Sequence, residues 1–138
     1  MATPKQKLIL RICCGAHVIH DGAVDMLYAL LPLLREAFGL TYAEVALVRS
    51  VHRFATALFE IPIGILAEKL GARNLLVAGT VLVGIAFLGL GFANGFAAIL
   101  AFIFLAGCGA AVQHPLSSSI ISNAFPGAGQ RVALGTYN

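Results

Sequence analysis

The chain has 138 residues, of which 59% are hydrophobic and 11% charged, and a mean hydropathy of +0.92, whereas soluble domains carry about 25% charged residues. That balance excludes an ordinary water-soluble domain and points to an all-α integral membrane protein, because several apolar runs approach or exceed the roughly 20 residues that cross a bilayer core. The net charge of +3 arises from basic residues scattered between helix ends, which excludes a nucleic-acid partner.

A first span is expected over about residues 9–34, preceded by Lys5 and Lys7. It runs far past the apolar region of a cleavable leader, so the N-terminus is expected to stay on the mature protein. Its middle holds His17, His20, Asp21, Asp25 and Tyr28. At about 100° per residue, His17, Asp21, Val24, Asp25 and Tyr28 share one face, with His20 just off its edge. A charge at the centre of a spanning helix costs roughly 2.5–3.5 kcal/mol, so both aspartates are expected to face protein or water.

The second span is expected over about residues 41–67. Thr41-Tyr42-Ala43-Glu44 has the capping-box pattern that closes a helix start. Arg49, His52, Arg53, Thr56 and Glu60 gather on one side, so the first two spans are expected to line a shared cavity. A polar loop over 68–74 leads to a third span over 75–92, which lacks ionisable groups and reads as scaffold.

After the turn Ala93-Asn94-Gly95, a fourth span is expected over about 96–121. Gly107, Gly109, Ala110 and Ala111 give it a smooth surface for close helix approach. Gln113, His114, Pro115, Ser117 and Ser118 cluster near its end, where Pro115 frees a backbone carbonyl that needs another partner. Residues 122–130 read as a loop, and 131–138 as the start of a fifth helix. Cys13, Cys14 and Cys108 sit in apolar segments without metal-ligand spacing, so neither a metal nor another cofactor is expected.

Counting about 1.5 Å per residue along antiparallel helices sets Asp25 level with Arg53, and His17, Glu60 and His114 level with one another. Asp21 lies between these layers. Asp21 or Asp25 then reads as a proton carrier, and Arg53, with Arg49, as an attractor of an anionic substrate group. A permanent Asp25–Arg53 pair that only holds two helices together is the alternative. Lys5, Lys7, Arg11, Lys69, Arg73 and Arg131 fall on one side of the membrane if the spans alternate, against Arg35 on the other, which sets the N-terminus in the cytoplasm.

Two further classes compete. His17 or His20, His52 and His114 lie on different helices and two of them could ligate a haem in a small membrane anchor. A complete four-helix transporter working as an oligomer is the other. No nucleophile sits in a recognisable motif, so an enzyme is not expected.

The segment from Gly64 to Arg73 resembles the signature between helices 2 and 3 of the major facilitator superfamily, matching it at Gly64, Leu66, Glu68, Lys69, Gly71 and Arg73. Glu68 stands where aspartate is usual and Ala72 where a basic residue is common. His17-x-x-x-Asp21 and Gly107-x-Gly109-x-x-x-x-His114-Pro115-x-x-Ser118 are similar to the fosmidomycin-resistance-like branch of drug exporters. The resemblance implies a protein of about twelve helices in two pseudo-symmetric halves, of which this chain supplies part of the N-terminal bundle. It further implies proton-coupled efflux of a small molecule by alternating access in a bacterial inner membrane. Helices 1, 2 and 4 would face the cavity, and Glu68 would join Arg73 and a helix end from the remaining C-terminal helices in a cytoplasmic latch. The expected partners are therefore the substrate, protons, the lipid bilayer and those remaining helices.

Overall fold

A computed structural model describes residues 2–137, and these form six α-helices and no strand among the described residues. They are α1 (Pro4–Phe38), α2 (Tyr42–Leu70), α3 (Ala72–Leu90), α4 (Phe96–Ala110), α5 (Gln113–Ala124) and α6 (Ala128–Tyr137). Local chemistry sets most of the ends. Thr3 and Thr41 each close a capping box, with Thr41 Oγ1 accepting from the Glu44 amide at 3.2 Å and Glu44 Oε2 accepting from the Thr41 amide at 2.8 Å. Pro4 stands in the first turn of α1, where its missing N–H would have had no intrahelical partner.

The bounds differ from expectation in three instructive places. Helix α1 begins five residues before residue 9, because the Thr3 cap and Pro4 start it ahead of the apolar run. The polar loop over 68–74 does not exist as a loop. Glu68, Lys69 and Leu70 complete α2, and Gly71 alone turns the chain into α3, with a φ of 84° that only glycine adopts without strain. The fourth span is broken rather than continuous. Pro115 has no N–H for the Ala111 carbonyl and its ring crowds that carbonyl, so the ladder is interrupted at Ala111–Val112 between α4 and α5.

Three segments are long and apolar enough to cross a membrane: Tyr42–Leu70, Ala72–Leu90 and the broken Phe96–Ala124. Helix α1 has the length for a fourth but carries too many polar groups at its middle to qualify on composition. The outward faces suit lipid, since Val18, Ile61 and Leu88 are 74%, 75% and 73% exposed.

Two apolar clusters hold the helices together from opposite ends. One joins Leu27, Leu40, Val48, Leu90, Ile99 and Ile103. The other joins Cys13, Ile121, Phe125, Ala133 and Tyr137, and next to it Gln6 Nε2 donates to the Ala124 carbonyl at 2.8 Å. Helix α4 lies against both α2 and α3. A Cβ on Gly107 would stand 2.5 Å from the His52 carbonyl oxygen, and one on Gly109 would stand 2.7 Å from that of Gly79. Backbone therefore meets backbone at both crossings, as the small residues of α4 led one to expect. The segments of α1, α2 and α5 between the two clusters carry the polar side chains.

Candidate functional site

Between the apolar ends lies a cavity of about 210 Å³ lined by His20, Asp21, Val24 and Asp25 of α1, His52, Arg53 and Thr56 of α2, Ala110 of α4 and His114 of α5. Helical periodicity explains the membership. Residues three and four apart on α1 and α2 project the same way, and the close crossing at Gly107 brings α4 against the turn that holds His52. The Thr56 hydroxyl lies 3.0 Å from the His52 carbonyl and 3.3 Å from that of Gly107, tying the two helices at the cavity wall. The volume falls below the roughly 300–1,000 Å³ of a small-molecule pocket.

His17 and Asp21 meet one turn apart on α1, with Nε2 2.7 Å from Oδ2. The other ring nitrogen of His17, Nδ1, lies 3.1 Å from the Tyr137 carbonyl oxygen. A carbonyl only accepts, so Nδ1 carries a proton and Nε2 is turned toward the carboxylate. The Tyr137 ring lies beside the imidazole at 4.6 Å between centroids, and the His114 ring meets it edge-on at 5.1 Å. Helix α6 thus reaches the site through Tyr137, whose hydroxyl also lies 3.4 Å from the buried Gln113.

The expected layers form only in part. An imidazole–carboxylate–imidazole group does assemble, but its carboxylate is Asp21 and not Glu60, which is exposed and does not line the cavity. The reason is reach: Asp21 follows His17 by one turn of the same helix. Asp25 and Arg53 face the same cavity yet form no ion pair within 4.0 Å, and both remain exposed. Arg49 is directed elsewhere, its guanidinium stacked over the Tyr28 ring at 3.6 Å and hydrogen-bonded to the Tyr28 hydroxyl. Arg35 stacks likewise over Tyr42, at 4.3 Å.

His20 and His52 are 2% and 1% exposed, and neither ring has a hydrogen-bond partner among the described residues. The sequence pattern sets His20 at the edge of the first stripe and His52 on the polar side of the second span, and offers both as haem ligands, but their burial without a partner depends on tertiary packing. In the Gly64–Arg73 motif, Glu68 and Lys69 occupy the last turn of α2 and Arg73 the first turn of α3, all exposed. Glu68 therefore sits at the negative end of its own helix, where the dipole disfavours it, rather than at a helix start. Glu68 and Arg73 are not paired with each other among the described residues.

The Major Facilitator Superfamily profile matches residues 13–138. The chain belongs to that superfamily. Membership of that superfamily sets its helices in an integral membrane protein and counts against the haem anchor. Among curated relatives, it is 26% identical over 113 residues to the uncharacterized MFS-type transporter YfnC of Bacillus subtilis, covering 82% of this chain and 27% of that protein. It is 29% identical over 107 residues to the fosmidomycin resistance protein of Escherichia coli, covering 76% of this chain and 26% of that one. It is 29% identical over 129 residues to the probable sulfoacetate transporter SauU of Cupriavidus necator, covering 93% and 30% respectively. The chain thus spans between a quarter and a third of the length of these relatives. No solved structure matches.

Proposed function

We propose that this chain supplies cavity-lining helices of a proton-coupled secondary transporter that expels a small organic anion by alternating access. The observation that carries the reading is the polar cavity itself. Groups from α1, α2 and α5 converge there between two apolar clusters, and ionisable groups kept in a membrane mark a pathway. Asp21, held against His17 at 2.7 Å, is the proton carrier, with Asp25 next to it on the path. Arg53, the only arginine or lysine lining the cavity among the described residues, attracts the anion. The probable sulfoacetate transporter is named for a substrate of that class, and the fosmidomycin resistance protein supports export.

The small volume and open polar side of the cavity support a site shared with further helices, as the relatives' greater length suggests. Basic-residue asymmetry supports a cytoplasmic N-terminus in a bacterial inner membrane. On that side Glu68, Lys69, Gly71 and Arg73 form a latch with a neighbouring bundle, and the unfavourable dipole at Glu68 leaves its charge free to seek such a partner.

Proteoliposomes carrying a transporter that contains this chain test the proposal, with an imposed pH gradient and labelled sulfoacetate as the probe. Asp21→Asn is expected to abolish gradient-driven flux while leaving substrate exchange at zero gradient measurable. Gradient-driven flux retained in Asp21→Asn, Asp25→Asn and the double variant would remove both aspartates as carriers.

A further inference from the structure

The hydrogen-bond geometry around His17 leaves a question of charge. With Nδ1 donating to Tyr137, Nε2 presents a lone pair to Asp21 Oδ2 at 2.7 Å. Two acceptors at that distance repel unless a cation lies between them. A proton satisfies the pair as it stands. The same donors also meet the demands of a metal, because His114 is close enough to complete a set: the ligand atoms of His17, Asp21 and His114 all lie within 4.8 Å of one another.

We propose that His17 Nε2, the Asp21 carboxylate and His114 bind one divalent transition-metal ion of the zinc class. Two imidazoles and one carboxylate suit such metals, whereas magnesium and calcium prefer all-oxygen sets. Tetrahedral zinc has bonds of about 2.0–2.2 Å and holds its donors about 3.3 Å apart, so the His17–Asp21 pair opens slightly and His114 swings inward. His114 is exposed. The His17–Tyr137 hydrogen bond is the outer-sphere contact that metal-ligating histidines ordinarily make, fixing both tautomer and ring.

A second observation points the same way. His20 is 2% exposed, has no hydrogen-bond partner for either ring nitrogen among the described residues, and lines the cavity with Asp21 and His114. His20 stands outside the set of donors that lie within 4.8 Å of one another, so an imidazole buried at that expense is accounted for by a hydrogen bond to water held on the metal. The other charged or titratable groups facing the cavity are Asp25 on α1 and His52 and Arg53 on α2, and Asp25 offsets the Arg53 charge that would oppose a cation. Cysteine spacing carries no trace of this set, because its donors are imidazoles and a carboxylate from two helices nearly a hundred residues apart.

The site goes beyond the transport reading, and its test needs no transport. Cobalt(II) is titrated into the full 138-residue chain in detergent micelles, following the visible absorption that tetrahedral cobalt gives strongly and the aqua ion weakly. One cobalt per chain with a tetrahedral spectrum, displaced by zinc, is expected. Losing an outer-sphere partner weakens metal binding roughly 10–100-fold, so His114→Gln and Asp21→Asn should each weaken it at least as much. Glu60→Gln, outside the cavity, should leave it unchanged and serves as the folding control for a surface substitution. An octahedral, non-saturable spectrum with the native chain, or unchanged affinity in both ligand variants, overturns the site.

Discussion

At the scale of single residues, the crossings of α4 place the tightest demands on side-chain size. Gly107→Ala would set a Cβ 2.5 Å from the His52 carbonyl oxygen and 2.7 Å from Ala55 Cβ. Neither is the flexible end of a side chain, so the helices must part, and overpacking of this kind costs about 1–3 kcal/mol. Gly84→Ala, inside α3 with nothing within 4 Å, should instead stabilise by roughly 0.5–1 kcal/mol through lower backbone entropy in the unfolded chain. Denaturant titration of helicity in mixed micelles reads both, and equal effects of opposite glycines would contradict the backbone contact. The residue pattern made the close approach legible, because small residues in a spanning helix have few other uses. It left the identity of the acceptor carboxylate hidden. A count of depth sets Glu60 level with His17 and His114 and Asp21 between the layers, and only coordinates show that Asp21 lies within reach of His17 while Glu60 stays outside the cavity.

At the scale of elements, chain chemistry that acts through neighbours three or four residues away was readable, and chemistry that depends on tertiary support was not. The Thr41 box announced the start of α2 because both hydrogen bonds are local. Thr41→Ala should therefore cost about 1 kcal/mol, read as a lower midpoint in the same titration. The extension of α2 through Glu68, Lys69 and Leu70 escaped notice because polar composition mimics a loop, whereas only Gly71 carries the conformation that ends a helix. The break in the fourth span was foreshadowed by Pro115 but not located. Pro115→Ala restores an N–H for the Ala111 carbonyl and should fuse α4 and α5 into one straighter helix, recovering up to about 3 kcal/mol of helix propensity. His114 lies on the far side of that break, so straightening should also separate it from His17. Spin-label distances between α1 and α5 that match the native values would show that the proline does not set the bend.

At the scale of the whole molecule, the proposed direction in which the bundle sits rests on the charges. Lys5, Lys7 and Arg11 stand at the start of α1, Lys69 and Arg73 flank Gly71 between α2 and α3, and Arg131 lies in α6. The other ends hold Arg35, which is already engaged with the Tyr42 ring. Short loops rich in lysine and arginine stay on the cytoplasmic side, because moving them across works against the membrane potential and the translocation machinery. Under the proposed orientation Ala72, beside Gly71, and Asn94, in the exposed turn before α4, are expected on opposite faces. In a background with Cys13, Cys14 and Cys108 replaced by alanine, an impermeant thiol reagent should label Asn94→Cys in intact cells and Ala72→Cys only after lysis. Cys13 is buried in the apolar cluster with Ile121 and Phe125, so alanine there is the substitution most in need of a helicity check. The opposite labelling would turn the bundle over, move Glu68 and Arg73 to the outside and leave the proposed cytoplasmic latch without a partner. Labelling of both positions in intact cells would mean that the orientation is mixed, and the single basic residue at the Arg35 end would then be too weak a contrast to fix it.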